Sequence, residues 1–127
     1  MDSIGIWNVR GMNKVNTQFD VKKFLHRNNI GVVGLLEVRV KQNNWLSVGN
    51  NIGNTWAVTT NMANNKGGRI WVLWEPTQYD ISILDSTAQT IHIRVHNKHD
   101  NKNSVVTFVY GFNYKHQRVE LWQTLKK

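Results

Sequence analysis

Ile4-Gly5-Ile6-Trp7-Asn8-Val9-Arg10-Gly11 opens the chain, and Val32-Val33-Gly34-Leu35-Leu36-Glu37 follows it after one stretch of helical pattern. Each is a short apolar run that ends on a polar side chain, Asn8 in the first and Glu37 in the second. Residues 17–28 between them read as a helix. A strand, helix, strand unit of this kind is nearly always a right-handed crossover with parallel strands. Both strands then finish at one sheet edge, where α/β folds usually place their ligands. An amide and a carboxylate there suit a hard cation such as Mg2+, with Glu37 as direct ligand and Asn8 as an orienting donor. A single Glu at a strand end is more often a solvated terminus, so spacing alone leaves both readings open.

Working outward, Thr17-x-x-Asp20 has the form of a capping box opening the helix, with Val21, Phe24 and Leu25 inward and Lys22, Lys23, His26 and Arg27 outward. That basic face reads first as a solvated surface and second as a DNA contact. Asn28-Asn29-Ile30-Gly31 breaks the helix, and the second strand is apolar on both sides, as a central strand should be. Residues 41–50 suggest a short helical turn around Trp45 and Leu46. From Thr55 onward the pattern is antiparallel. Residues 56–60 and 68–75 flank a Gly- and Asn-rich turn, residues 79–84 and 90–96 flank a second turn at 85–89, and a last strand covers 104–110. A helix from about Lys115 closes the chain, with Val119, Trp122 and Leu125 inward. These elements predict an α/β (α+β) fold: one largely built sheet, mixed and mostly antiparallel, with two helices on one face.

Sixteen Lys and Arg against eight Asp and Glu give a formal charge of +8. Such a balance favours polyanions through counterion release, nucleic acid foremost, although a merely soluble basic surface is about as common. The chain contains no Cys, which removes disulfides and thiolate metal sites from consideration. No apolar stretch approaches the ~20 residues of a membrane span, and Met1-Asp2-Ser3 lacks the features of a secretory signal. An intracellular protein without a membrane role is therefore expected. His92 and His96 share a strand face with Arg94, but residues four apart on a strand lie about 13 Å from each other, too far to ligate one zinc. They read as the polar face of a half-buried strand, on which Arg94, with Lys98 and Lys102 in the following loop, offers a phosphate-contacting ridge.

The wording around these residues resembles a known family. Trp7-Asn8-Val9-Arg10-Gly11 followed by Gly34-Leu35-Leu36-Glu37 resembles the opening of the endonuclease/exonuclease/phosphatase superfamily, the deoxyribonuclease I-like fold. The likeness is nearest to the endonuclease domains of plant LINE-type (non-LTR) retrotransposons. Gly67-Gly68-Arg69-Ile70-Trp71-Val72-Leu73-Trp74 is similar to the family's Gly-Gly strand, and Phe108-Val109-Tyr110-Gly111-Phe112-Asn113 to its Tyr-x-x-Asn strand end. Arg118, Leu121, Trp122 and Leu125 follow the family's pattern on the next helix. Val38 departs from it, since the family commonly has Thr or Asn after the Glu.

The resemblance implies a Mg2+-dependent phosphodiesterase with Glu37 and Asn8 at the metal, and Asn8 and Tyr110 in the catalytic site, the Tyr110 hydroxyl near the scissile phosphate. It implies that Arg10, Asn113 and Arg118 face nucleic acid, DNA before RNA. Without the family, Tyr110 reads equally as a core aromatic whose hydroxyl reaches a backbone group, and Arg118 as a partner of a backbone carbonyl. The family's Gly-Asp-x-Asn and Ser-Asp-His motifs have no match here; His99-Asp100 is in the wrong order and lies in a polar loop. The family domain is roughly twice as long, so the chain reads as the amino-terminal half of a four-layer αββα sandwich. Losing a general base alone removes on the order of 10² to 10⁴ in rate, which predicts an incomplete catalyst with weak Mg2+ affinity. Alternatives are a noncatalytic nucleic-acid-binding module and a protein-pairing module. The half-domain reading also predicts an uncovered sheet face drawn from Ile70, Trp71, Val72, Leu73, Trp74, Ile91, Ile93, Val106 and Phe108, open to self-association.

Overall fold

The first two strands pair in parallel around an intervening helix, as the crossover pattern requires. The computed structural model describes residues 3–40, 44–61 and 69–110. Along them lie β1 (Ser3–Asn8), α1 (Val15–Arg27), β2 (Ile30–Leu36), α2 (Trp45–Gly53), β3 (Ala57–Thr60), β4 (Ile70–Trp74), β5 (Tyr79–Ser86), β6 (Thr90–Asn97) and β7 (Asn103–Val109). β1 and β2 run parallel, whereas β2 with β4 and β3 with β4 are antiparallel. The fold is α+β, with a four-stranded mixed sheet ordered β1-β2-β4-β3 and a three-stranded antiparallel sheet ordered β5-β6-β7. Residues 62–68 and the carboxyl-terminal helix expected from Lys115 lie outside the described residues.

α1 begins two residues before Thr17. Lys14 takes the N-cap position without a side-chain cap, so Thr17 lies within the helix and the expected capping box is not used. The inner face is as periodicity requires: Val21 and Leu25 are buried, and the half-buried Phe24 ring meets Trp7 at a centroid distance of 4.9 Å, tilted by 52°. Asn28 stops the helix by donating its amide to the Phe24 carbonyl, 2.9 Å away. α2 is a full helix rather than a turn, with Val48 and Ile52 inward and Leu46 exposed.

Both helices pack on one face of the larger sheet, through Val21, Leu25, Val48 and Ile52 against Val33, Leu35, Trp71 and Leu73. The opposite face is not uncovered, which corrects the expectation of a single sheet. Val32, Ile70 and Val72 pack there against Tyr79, Ile91, Ile93, Val95 and Phe108 of the second sheet. Of the nine residues about half of which are expected to line an open face, Trp74 and Val106 are half-buried and the other seven are buried. The physical reason lies in the turn after β4. The Glu75 amide donates to the Gly31 carbonyl and the Tyr79 amide to the Glu75 carbonyl, folding β5–β7 beneath the first sheet rather than alongside it.

Two glycines of β2 admit this stacking. A Cβ on Gly31 would lie 2.4 Å from the Tyr79 ring and one on Gly34 would lie 2.1 Å from the Phe108 ring, closer than packed atoms approach. The two layers are also tied at their far end by Asn61, fully buried after β3. Its amide donates to the carbonyls of Thr87 and Ala88, and its side-chain oxygen accepts the Ile70 amide. The second turn is shorter than expected, because β5 runs on to Ser86 through a bulge at Ile83–Asp85.

Candidate active site

The parallel register places Asn8 opposite Leu36, one residue before Glu37, so both candidate residues sit at the carboxyl ends of adjacent strands. Pairing continues past the strands: the amides of Val9, Gly11 and Met12 donate to the carbonyls of Leu36, Glu37 and Val38 at 3.0, 2.7 and 2.9 Å. Gly11 holds φ at 101°, a conformation a side chain rarely adopts, which explains the glycine of Trp-Asn-Val-Arg-Gly. Arg10, Glu37 and Arg39 also have positive φ, at 52°, 59° and 52°. Three non-glycine residues held this way cost on the order of 1–3 kcal/mol each and cluster where backbone geometry serves a site.

Glu37 is the centre of the cluster. One carboxylate oxygen, Oε1, accepts the Tyr110 hydroxyl at 3.3 Å, and the other, Oε2, pairs with Nη2 of Arg39 at 3.0 Å. The Glu37 side chain is only 15% exposed, against 54% for Arg39. Tyr110 is fixed from its own side, since its amide donates to the Gln89 carbonyl at 2.7 Å. A residue from the end of β2 thus meets one just past β7, 73 positions away, across the two sheets. Among the described residues the Tyr110 hydroxyl reaches a carboxylate and not a backbone group.

The remaining candidates are placed as follows. Asn8 is exposed and its Oδ1 accepts the Arg10 amide at 3.2 Å; among the described residues no hydrogen bond joins it to Glu37. Arg10 is exposed beside it. Arg94 lies on the outer face of β6 with His92 and His96, opposite to the inward Ile93 and Val95, and so on the other side of the sheet from Glu37. His92 and His96 bond Thr107 and Asn103 as polar surface residues. Lys98 of the expected ridge is engaged locally, by the Pro76 carbonyl at 2.7 Å and Asp80 at 3.4 Å. Asn113 and Arg118 lie outside the described residues.

Arg39 and Gln18 belong to this site's construction and were not singled out in the sequence. Gln18 is buried, donates to the Met12 carbonyl at 2.8 Å and accepts the Asn51 amide at 2.7 Å, pinning the loop after Asn8 to both helices. The signal for Arg39 was present in Glu37-Val38-Arg39-Val40, where Val38 and Val40 are buried and the charged pair alternates with them. Val38 points into the helix-side core, away from the Tyr110 side of Glu37, so its departure from the family pattern lies on the other side of the chain from the carboxylate.

The donor set suits a hard cation only in part. Glu37 supplies one carboxylate and Asn8 an amide on the adjoining strand, and among the described residues no group of three or more His, Cys, Asp or Glu converges. A cation such as Mg2+, which keeps much of its water, tolerates such a sparse set. Among the described residues no helix is long and apolar enough to cross a membrane.

No protein-family model matches the sequence, and no curated protein matches it. Among solved structures, the chain is similar to the "Endonuclease domain of TRAS1, a telomere-specific non-LTR retrotransposon", with a TM-score of 0.68 and 12% sequence identity. The match covers 95% of this chain and 51% of that one, so the chain spans about half the length of the domain it resembles. At this identity the likeness shows the fold alone, an α+β arrangement shared with about half of that domain.

Proposed function

We propose that this chain is the amino-terminal portion of a Mg2+-dependent DNA endonuclease of the non-LTR retrotransposon type, plant-like in its motifs and catalytically incomplete by itself. The observation that carries this reading is the meeting of Glu37 with Tyr110 at the carboxyl end of the parallel pair. In it, Glu37 holds Mg2+, Asn8 orients at the adjoining strand end, Tyr110 faces the scissile phosphate, and Arg10, Asn113 and Arg118 contact the nucleic acid. Bound Mg2+ supplies charge neutralisation at the phosphoryl group. Glu37 enters such a site already oriented, because Tyr110 fixes one oxygen and the backbone at 37 is held by pairing on both sides. Among the described residues no group of three or more His, Cys, Asp or Glu converges, fewer than a metal site with a separate base for the attacking water calls for.

The test is nicking of supercoiled plasmid with and without Mg2+, beside Glu37→Ala prepared identically. The expected outcome is DNA binding that weakens with salt and no nicking above that of the variant. Mg2+-dependent nicking that disappears in Glu37→Ala would show the half-site to be sufficient and the incompleteness to be wrong.

One observation favours a second reading, pairing through an exposed strip. Ile4 and Ile6 alternate with Trp7 on β1 and are 43% and 55% exposed, on the face that β2 and β4 use to meet the second sheet. β7 packs under β2, through Phe108 on Gly34 and Tyr110 on Glu37. No described strand continues that sheet beneath β1. A second copy of this chain supplies apolar surface for the strip in this reading.

A further inference from the structure

We propose that Arg39 is an exchangeable counter-ion: it neutralises Glu37 in the metal-free protein and passes to a phosphodiester oxygen when a divalent cation takes its place. This rests on the reading of Glu37 as a metal ligand and adds to it a residue that couples cation binding to DNA binding. A carboxylate that is 15% exposed is poorly hydrated and needs a neighbouring positive charge. Arg39 supplies it at 3.0 Å from Oε2, the oxygen that Tyr110 leaves free.

The backbone is anchored around the pair while the guanidinium is not. The Val38 amide donates to the Arg69 carbonyl at 3.1 Å, the Val38 side chain is fully buried, and the Asn13 amide holds the Arg39 carbonyl at 2.7 Å. Rearrangement is therefore confined to the Arg39 side chain, more than half of which faces solvent. A cation on Glu37 and a guanidinium on the same carboxylate repel each other, so occupancy by one lowers affinity for the other. The displaced guanidinium is a planar fork whose donors match phosphate as well as they match carboxylate. At the open edge of the parallel strands, a phosphodiester is the anion that this site is built to receive.

The exchange predicts two effects of opposite sign from one substitution. Arg39→Gln binds Mn2+ about two- to fivefold more tightly than the unmodified chain, read by electron paramagnetic resonance of free Mn2+. In Ca2+ the same variant binds a labelled DNA duplex more weakly, and its log-affinity against log-salt slope falls by about one. Arg39→Lys, which keeps the charge, stays near the unmodified Mn2+ affinity, and circular dichroism confirms that each variant is folded. Unchanged or weaker Mn2+ binding by Arg39→Gln overturns the exchange, as does an unchanged salt slope. Glu37→Gln separates the two levels of inference. If the unmodified chain and Arg39→Gln bind Mn2+ no better than Glu37→Gln does, the metal reading itself fails and the exchange with it.

Discussion

Tyr110 and Glu37 illustrate what a single contact contributes here. The Tyr110 ring reaches across the interface between the sheets, and its hydroxyl donates to a mostly buried carboxylate that has one other partner. Tyr110→Phe keeps the ring and removes only that donor. A hydrogen bond to a charged group contributes about 1.5–3 kcal/mol when well formed, and the 3.3 Å length here places this one toward or below the lower end. The expected outcome is a loss of about 1 kcal/mol of unfolding free energy, seen as a lower urea midpoint with an unchanged slope, while on the proposed metal reading Mn2+ affinity falls because Glu37 is less well oriented. A variant as stable as the parent would mean that water replaces the hydroxyl without loss. Glu37 was legible in sequence because it ends an apolar run whose parallel partner ends at Asn8, and Tyr110 because it closes the last apolar strand and falls on the Tyr position of the pattern that the sequence resembles. Their contact was not legible, since nothing local to either strand says that β7 lies under β2. Arg39 was half legible: alternation put it on the side of Glu37, but the pairing depends on two positive φ values that no sequence pattern announces.

At the scale of elements, the crossover and the hairpins followed from periodicity and turn residues, whereas the stacking of the two sheets did not. Alternation along a strand shows that one face is apolar; it does not show whether a partner face belongs to the same chain. Gly31 and Gly34 mark the answer in retrospect, because side-chain-free positions on a central strand signal close approach of another layer. Asn61 is the least expected contributor. Read as a turn residue, it is fully buried, and its side chain makes three hydrogen bonds that join the β3–β4 hairpin to the turn between β5 and β6. Asn61→Ala leaves two part-buried carbonyls and one buried amide without those partners. With about 1–3 kcal/mol for a buried group left unsatisfied, and some relief from water entering the space, a destabilisation of about 2–4 kcal/mol is expected. Denaturant unfolding measures it, and hydrogen exchange at Ile70 should quicken along with the global transition. A change below about 0.5 kcal/mol would show that the hairpin and the turn hold together without the asparagine.

For the molecule as a whole, exposed large apolar side chains among the described residues are spread over several elements, and Ile4 and Ile6 adjoin the interface between the two sheets. The second sheet covers β2 and β4 but stops at β7, leaving Ile4 and Ile6 of β1 exposed on the face where the two sheets meet. Their position beside the Asn8 end of β1 puts any partner that covers them next to the candidate active site. If a second copy does so, the weight-average sedimentation coefficient rises with concentration in the micromolar range. Ile4→Thr/Ile6→Thr is the matching variant, because threonine keeps the β-branch that suits a strand and removes most of the apolar contact. Completing the burial of a half-exposed isoleucine is worth about 1 kcal/mol, so the pair weakens self-association by at least about tenfold. The same substitutions leave the unfolding midpoint of the monomer nearly unchanged, since both side chains already face solvent there. Association that persists in the double variant would exclude this strip and direct attention to the free edge of β3, where Val58 is also exposed.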